Sequence, residues 1–366
     1  MPYDFQGKIE KGIYQKAMIN LDEVLEKKTV CASAPCRIDF AGTLDINTFS
    51  FPMADLCPVT FNMAIDLRTK VSLLPYERDY IKVSSNGFEE ACFESKKAPY
   101  NHELGLVFAI CDAFDCAGLE VKIESSSPPK SALGGSSVFA VALVSVFMKI
   151  LNGEKVLAKD AALRAHLIES AVAGVPCGLQ DHLSAAYGGA NAWHWTDVWS
   201  WPDFKNSTLL RKHEFEDAAK HFIVAYTGKT HDSHSVNTRW REQFVSGKYR
   251  DLWNEIALLS HEFCLSFAEK DFSGLGKIVN REVELRLEMT PDVLDNSGKL
   301  LYELAKKNNC GARFTGAGAG GCMWAVGSEK DILNLKSLWN RELSKIKGAM
   351  LLDTKPEPDG ILFEKL

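Results

Sequence analysis

Apolar and polar positions change period repeatedly along the chain, and the changes mark its elements. Val121–Ser125 alternates like a half-buried strand, and a mostly apolar run from Val138 to Leu151 follows shortly after, long enough for a buried helix. Thr29–Phe40 reads as a strand with Pro35 inside it, which predicts an edge or a break there. Val59–Ile65, Lys70–Leu74, Tyr80–Ser84 and the aromatic Asn191–Trp195 are further strands; 103–117 and 157–173 carry helical spacing. The first thirty residues look helical, with Ile19, Leu21, Val24 and Leu25 as an apolar face. A polar, Trp-rich connector at 196–212 precedes the second half. There the pattern predicts strands at Phe222–Tyr226, Cys322–Val326 and Gly360–Phe363, and helices near 248–270, 272–288, 296–308 and 330–346. Strands and helices do not alternate strictly, which points to an α+β protein. With 366 residues, two domains are expected, divided near 200 into 1–200 and 201–366.

Composition narrows the partners. A net charge of −6 argues against nucleic acid or an anionic membrane as the main partner. No apolar stretch is long enough to span a bilayer, and MPYDFQGKIEKG has no signal core. The ten cysteines form no Cys-x-x-Cys pair and no zinc-like spacing, so they read as buried thiols in a reducing compartment, the cytoplasm. The chain is expected to be a monomer or homodimer.

Residues 128–137, Pro-Pro-Lys-Ser-Ala-Leu-Gly-Gly-Ser-Ser, separate the strand from the apolar helix. A small-residue loop feeding a helix gathers unpaired N–H groups at the positive end of the helix dipole, which is an anion site. Gly134 and Gly135 let the backbone approach a ligand, and Ser136 or Ser137 can cap the helix or lend a hydroxyl to a metal. A plain helix cap is the competing reading. No Walker A sequence and no protein-kinase motif set is present. Gly316, Gly318 and Gly321 fit G-x-G-x-x-G, but a strand follows them, which is the wrong context for a dinucleotide fold.

Two carboxylates and one Arg complete the candidate chemistry. Glu169 falls near the end of a helix, and Asp181 follows a Gly-Leu-Gln bend. Phosphoryl transfer needs a phosphate cradle, a hydroxyl and a carboxylate for Mg2+, and a carboxylate that takes the acceptor's proton. Singly, a solvated Glu and a helix-start Asp explain them as well. Arg37, in a strand with apolar neighbours, is unusual unless paired; it offsets a carboxylate or a phosphate, or is a surface Arg bonded to Asp39. Lys229 and His231 are candidates for holding a substrate phosphate, or simply a polar loop; His231-x-x-His234 lacks a third metal ligand.

Three ordered motifs resemble the GHMP kinase superfamily: A-P-C-R-I-D-F-A-G-T-L-D at 34–45, P-P-K-S-A-L-G-G-S-S at 128–137 and F-T-G-A-G-A-G-G-C at 314–322. G-L-Q-D-H-L-S-A-A-Y-G-G at 178–189 and Y-T-G-K-T at 226–230 look most like the heptose-phosphate kinase branch, with fucokinase-like and galactokinase-like sugar kinases nearby. The resemblance implies a two-domain α+β fold, a ribosomal-protein-S5-domain-2-like N-terminal half and a ferredoxin-like C-terminal α/β sandwich. It implies ATP and Mg2+ as cofactors and a sugar or sugar phosphate as acceptor, with mevalonate-type alcohols or a non-catalytic sensor as alternatives. Asp181 aligns with the base and Arg37 with its basic partner. Ser136 and Glu169 align with the Mg2+ ligands. Lys130, Ser131, Ala132, Leu133, Gly134, Gly135, Ser136 and Ser137 would hold the triphosphate, backed by Gly316, Ala317 and Gly318. Asp45 would bind sugar hydroxyls, with Gly42, Thr43, Gln180 and Lys229 as further substrate contacts. Ala132 and Gly135 depart from the usual loop, and Gly42–Asp45 lacks the longer glycine run of heptose-kinase-like members.

Overall fold

A computed structural model of the chain describes residues 29–152, 156–174, 176–195, 204–230 and 233–364. The helical reading of the first thirty residues, residues 196–203 of the Trp-rich connector, and His231 fall outside the described residues.

Strand β1 (Val30–Phe40) is buried along nearly its whole length and pairs antiparallel with β2 (Val59–Pro75). Its register shifts between Pro35 and Cys36, where Pro35 has no N–H to give. The two strands expected at 59–65 and 70–74 are one. Polar residues interrupt the apolar pattern there, but they have partners in the C-terminal tail. Asp66 accepts from Thr354 Oγ1 at 2.7 Å and from the Lys355 N–H at 3.0 Å, and Arg68 donates to Ser33 O and Asp359 O. The strand therefore runs through.

The first sheet has the order β12-β1-β2-β5-β3-β4, with β6 and β7 continuing from β2. Its remaining members are β3 (Tyr80–Ser85), β4 (Ala91–Glu94), β5 (Leu119–Ser125), β6 (Ala190–His194), β7 (Lys205–Thr208) and β12 (Leu362–Phe363). β12, from the end of the chain, pairs with β1, so β1 is not an edge strand. Among helices longer than one turn, α1 (Gly105–Ala113), α2 (Gly135–Asn152), α3 (Ala158–Val172) and α4 (Gln180–Tyr187) cover this sheet, α2 and α4 directly against β1 and β2. The second sheet is antiparallel, in the order β11-β8-β10-β9. It is built from β8 (Phe222–Tyr226), β9 (Gly311–Phe314), β10 (Cys322–Val326) and β11 (Met350–Leu352). Helices α5 (Ser233–Val245), α6 (Arg250–Ala268), α7 (Phe272–Met289), α8 (Asn296–Lys307) and α9 (Glu329–Leu343) belong to this half.

Helix α6 binds the halves together. Phe263 stacks on Phe40 of β1 with ring centroids 4.2 Å apart, and Phe267 meets Phe61 of β2 at 4.7 Å. Each fully buried Phe contributes about 1.5–3 kcal/mol, with about 0.5–1.5 more for the ring pair. The apolar core is one continuous cluster through both sheets. No helix among the described residues is long and apolar enough to cross a membrane.

Candidate active site

The loop after β5 curls before it becomes α2. Lys130, Ala132 and Gly134 all have positive φ, at 52°, 63° and 80°, and such a curl turns successive N–H groups toward one side. Leu133 is anchored in the core with no exposed surface. Its carbonyl accepts from the Arg37 N–H at 3.3 Å, and the Ser131 carbonyl accepts from the Cys322 N–H at 2.9 Å. All three sequence motifs therefore meet at this loop. Gly135 and Ser136, at the start of α2, are exposed. A Cβ on Gly135 would meet nothing within 4 Å, so the space at the helix N-terminus is open, as a phosphate cradle requires. Lys130 is also exposed and pairs with Glu103 at 3.1 Å.

Arg37, 3% exposed, is not a surface residue. It grips Asp181 with two parallel bonds, Nε to Oδ1 at 2.7 Å and Nη2 to Oδ2 at 2.8 Å. Nη1 donates to the Ala132 carbonyl at 2.8 Å and lies 3.4 Å from Asp39 Oδ1. Burial works against the guanidinium's charge, but Asp181 and Asp39 outweigh it, and its pKa is raised. Asp181 lies in the first turn of α4, and its side chain keeps 23% exposure toward the cleft. The planar fork fixes the carboxylate's orientation and leaves each oxygen a further lone pair.

Glu169 is buried near the end of α3, not solvated as a surface helical Glu would be. Ser137 Oγ donates to its Oε2 at 2.8 Å, and the Ser136 hydroxyl also bonds to it. Burial pushes the carboxyl up, but His182 and the two hydroxyls more than reverse this, so its pKa is lowered. Two serine hydroxyls and a carboxylate form a hard oxygen set beside the 130–137 loop, of the kind that suits Mg2+. Ser136 is thus not the sole hydroxyl at this point.

Asp45 is completely buried at the side of the cleft. Its Oδ2 accepts from the Gln180 N–H at 2.9 Å and Oδ1 from the Thr43 N–H at 3.2 Å. Burial pushes its pKa up to about 6 against these bonds, with Asp181 adding to the rise. The Gln180 side chain is held by Asn62 Nδ2 at 3.0 Å. A Cβ on Gly178 would stand 1.9 Å from Asp45 Oδ2, so only glycine fits under this carboxylate. Thr43 lines the cleft beside Asp45; Gly42 contributes from behind, through its carbonyl.

Behind the site lies a buried charge network that the sequence does not announce. Asp39 accepts from the Gly316 N–H at 2.7 Å and from Arg313 Nη1 at 3.1 Å. Arg313 and Arg286 both grip Glu282, at 2.9 and 2.8 Å. Arg286 lies between Trp240 and Trp253, 4.5 Å from each ring centroid, and donates to Gly42 O at 2.9 Å. Burial raises Glu282 but the two Arg side chains pull it down; burial lowers Arg286 to about 10 despite Glu282. The only sequence signal was charge in otherwise apolar segments.

The remaining candidates separate. Gly316 and Ala317 line the same cleft as Arg37, Ser136, Glu169 and Asp181; Gly318 sits deeper, against Val293. Lys229 borders a different, open depression near Asp292 and Asn296, and the structure does not bring it to the cleft. The cleft itself has a volume of about 920 Å³.

Comparison with known proteins agrees with this arrangement. Residues 101–189 match the GHMP kinases N terminal domain. The chain is 22% identical to the mevalonate kinase of Pyrococcus horikoshii over 93% of its own length and 99% of that enzyme's. It is 24% identical to the D-glycero-alpha-D-manno-heptose 7-phosphate kinase of Campylobacter jejuni, over 81% of this chain and 89% of that enzyme. The crystal structure of Lactococcus lactis galactokinase complexed with galactose superposes with a TM-score of 0.68 at 15% identity, over 93% of this chain and 99% of that one. The two-sheet α+β architecture, the matched N-terminal domain and the meeting of the three motifs agree: the chain has the GHMP kinase fold, and residues 101–189 match that family's N-terminal domain.

Proposed function

We propose that this protein transfers the γ-phosphoryl group of ATP to a hydroxyl of a sugar or sugar phosphate in a reducing, cytoplasmic setting. The observation that carries the reading is the Arg37–Asp181 fork beneath an open phosphate loop, with Asp45 on the acceptor side. Asp181 takes the proton of the acceptor hydroxyl. That oxygen forms a bond to the γ-phosphorus as the bond to the β-phosphate oxygen breaks, and ADP departs. The N–H groups of 132–137 hold the triphosphate at the start of α2. Ser136 and Glu169 would hold Mg2+, which supplies charge neutralisation on the β- and γ-phosphates. Arg37 keeps Asp181 aimed and adds positive charge beneath the transferring group.

Asp45 favours a polyol. A carboxylate accepts hydrogen bonds from adjacent hydroxyls, whereas the carboxylate of mevalonate would be repelled by a buried acid at that position. The mevalonate kinases among the relatives support the second reading, a mevalonate-type alcohol as acceptor.

An ADP-release assay over galactose, mannose, heptoses, their phosphates and mevalonate tests both. Turnover with a sugar or its phosphate is expected; turnover with mevalonate alone overturns the sugar reading, and none with any acceptor favours a sensor. Asp181→Asn should lower kcat by about 10²–10⁴-fold with ATP affinity kept. Unchanged turnover in that variant removes Asp181 as the base.

A further inference from the structure

Beside Glu169, two histidines and a cysteine cluster at and behind the cleft wall, and phosphoryl transfer gives them no step. His166 stands on α3, Cys177 on the loop that follows, and His182 on α4. One ligand atom from each lies within 4.8 Å of the other two. Cys177 Sγ is 3.9 Å from His166 Nδ1, and the two imidazoles meet edge-on with centroids 5.1 Å apart. His182 has no exposed surface; its Nε2 lies 2.7 Å from Glu169 Oε2, while its Nδ1 has no hydrogen bond. A buried polar group without a hydrogen bond costs about 1–3 kcal/mol, and coordination to a metal is one way an imidazole is satisfied.

We infer that His166, Cys177 and His182 form a binding site for a borderline-soft divalent cation of the zinc class, separate from the oxygen set of Ser136 and Glu169. Two imidazoles and a thiolate suit such an ion, and Mg2+ prefers oxygen ligands. Bond lengths of about 2.0–2.1 Å to nitrogen and about 2.3 Å to sulfur place tetrahedral ligand atoms about 3.4–3.7 Å apart. The Cys177–His166 pair already approaches that spacing. No two of the three ligand atoms are more than 4.8 Å apart, so closing to that spacing takes about 1 Å at most. Cys177 also borders the cleft, so a fourth position stays open to water or ligand.

Coordination by Cys177 would release one proton: Cys–SH + M2+ gives Cys–S–M+ and H+. An ion here would tie together α3, the 176–179 loop and the first turn of α4, the elements that carry Glu169, Gln180 and Asp181. The site does not depend on the phosphoryl-transfer reading.

Chelator-treated full-length protein titrated with Co2+ gives the test. One equivalent should bind with a thiolate-to-cobalt charge-transfer band and the visible bands of a tetrahedral ion, both lost on adding Zn2+. Cys177→Ser should abolish the charge-transfer band, and His166→Ala should weaken Co2+ binding at least about tenfold. Variants of the exposed thiols, Cys57→Ser and Cys92→Ser, should retain the band. Zn2+ should raise the Tm of the unmodified chain but not of Cys177→Ser. A missing thiolate band, or a full band surviving in folded Cys177→Ser, overturns the site.

Discussion

Arg286 Nη2 donates to the Gly42 carbonyl at 2.9 Å, joining residues 244 positions apart. The bond matters because the loop it holds is strained. Ala41 and Thr43 have φ of 54° and 89°, and such conformations cost about 1–3 kcal/mol each in residues other than glycine. Arg286 Nη1 also reaches Thr43 Oγ1 at 3.4 Å, and Asp45 accepts the Thr43 N–H. The C-terminal half thus holds the Ala41–Asp45 loop of the N-terminal half in place. Arg286→Met leaves Glu282 with one cation in place of two. It should cost about 3–5 kcal/mol in urea denaturation and raise the acceptor KM more than the ATP KM. Adding Thr43→Gly relieves the strain and should recover part of that loss. If Thr43→Gly destabilises both backgrounds equally, the two residues are not coupled.

The burial of Asp45 sets the sign of the pH dependence expected at the site. Its folded pKa, about 6, is above its ordinary value of 3.8. The ionised form is therefore disfavoured in the fold, so its contribution to stability is greatest at low pH and falls as pH rises from 3.8 through 6. Acceptor binding runs the other way, because the ionised carboxylate is the better acceptor of hydroxyl bonds. The acceptor KM should rise as pH falls through about 6. Asp45→Asn should have a high, pH-independent acceptor KM over that range. A wild-type KM that is flat between pH 5 and 7 would remove Asp45 from acceptor binding.

The motif residues were legible because their chemistry is local. A Gly-Ser loop before an apolar helix, an Arg in an apolar strand and an Asp after a bend each stand out, and the fold brings Arg37, Ser136, Glu169 and Asp181 to one cleft. Strands such as Phe222–Tyr226 and Cys322–Val326 appear as expected because they are short, continuous and apolar. β9 (Gly311–Phe314), at the edge of the second sheet, was missed since a glycine and a charged Arg313 do not look like a buried strand. Helix α5 was missed because most of its sequence is polar, and only Val236, Trp240 and Phe244, four residues apart, mark its inward face. The Asp39–Arg313–Glu282–Arg286 network was illegible for a different reason. Glu282 and Arg286 have the i, i+4 spacing of an ordinary solvated helix pair, and only the tertiary fold shows that both are buried. Lys229 had the right chemistry but points to another depression.

Arg37→Lys tests whether geometry or charge matters at Asp181. Lysine keeps the cation but loses the second parallel bond and the bond to the Ala132 carbonyl. A carboxylate that is no longer held in one plane is a poorly aimed base, and misplacement of that kind costs about 10²-fold in rate. Arg37→Lys should lower kcat by about that factor, with a smaller effect on the KM of either substrate. A kcat within twofold of wild type would show that the fork is structural only.

Two glycines near the site should respond to alanine in opposite ways. Gly135 opens α2, has no positive φ, and a Cβ there meets nothing within 4 Å. Alanine suits a helix better than glycine by about 0.5–1 kcal/mol, so Gly135→Ala should raise the Tm. The new methyl points into the space assigned to the triphosphate, so the ATP KM should rise while the acceptor KM is kept. Gly178→Ala places a Cβ 1.9 Å from Asp45 Oδ2 and 2.5 Å from its Cγ. The carboxylate must swing away, breaking its bond to the Gln180 N–H at the start of α4. Tm should fall, and the acceptor KM should rise more than the ATP KM. Calorimetry and initial rates on the two variants separate the phosphate cradle from the acceptor wall. If Gly135→Ala leaves the ATP KM unchanged, the triphosphate lies elsewhere in the cleft.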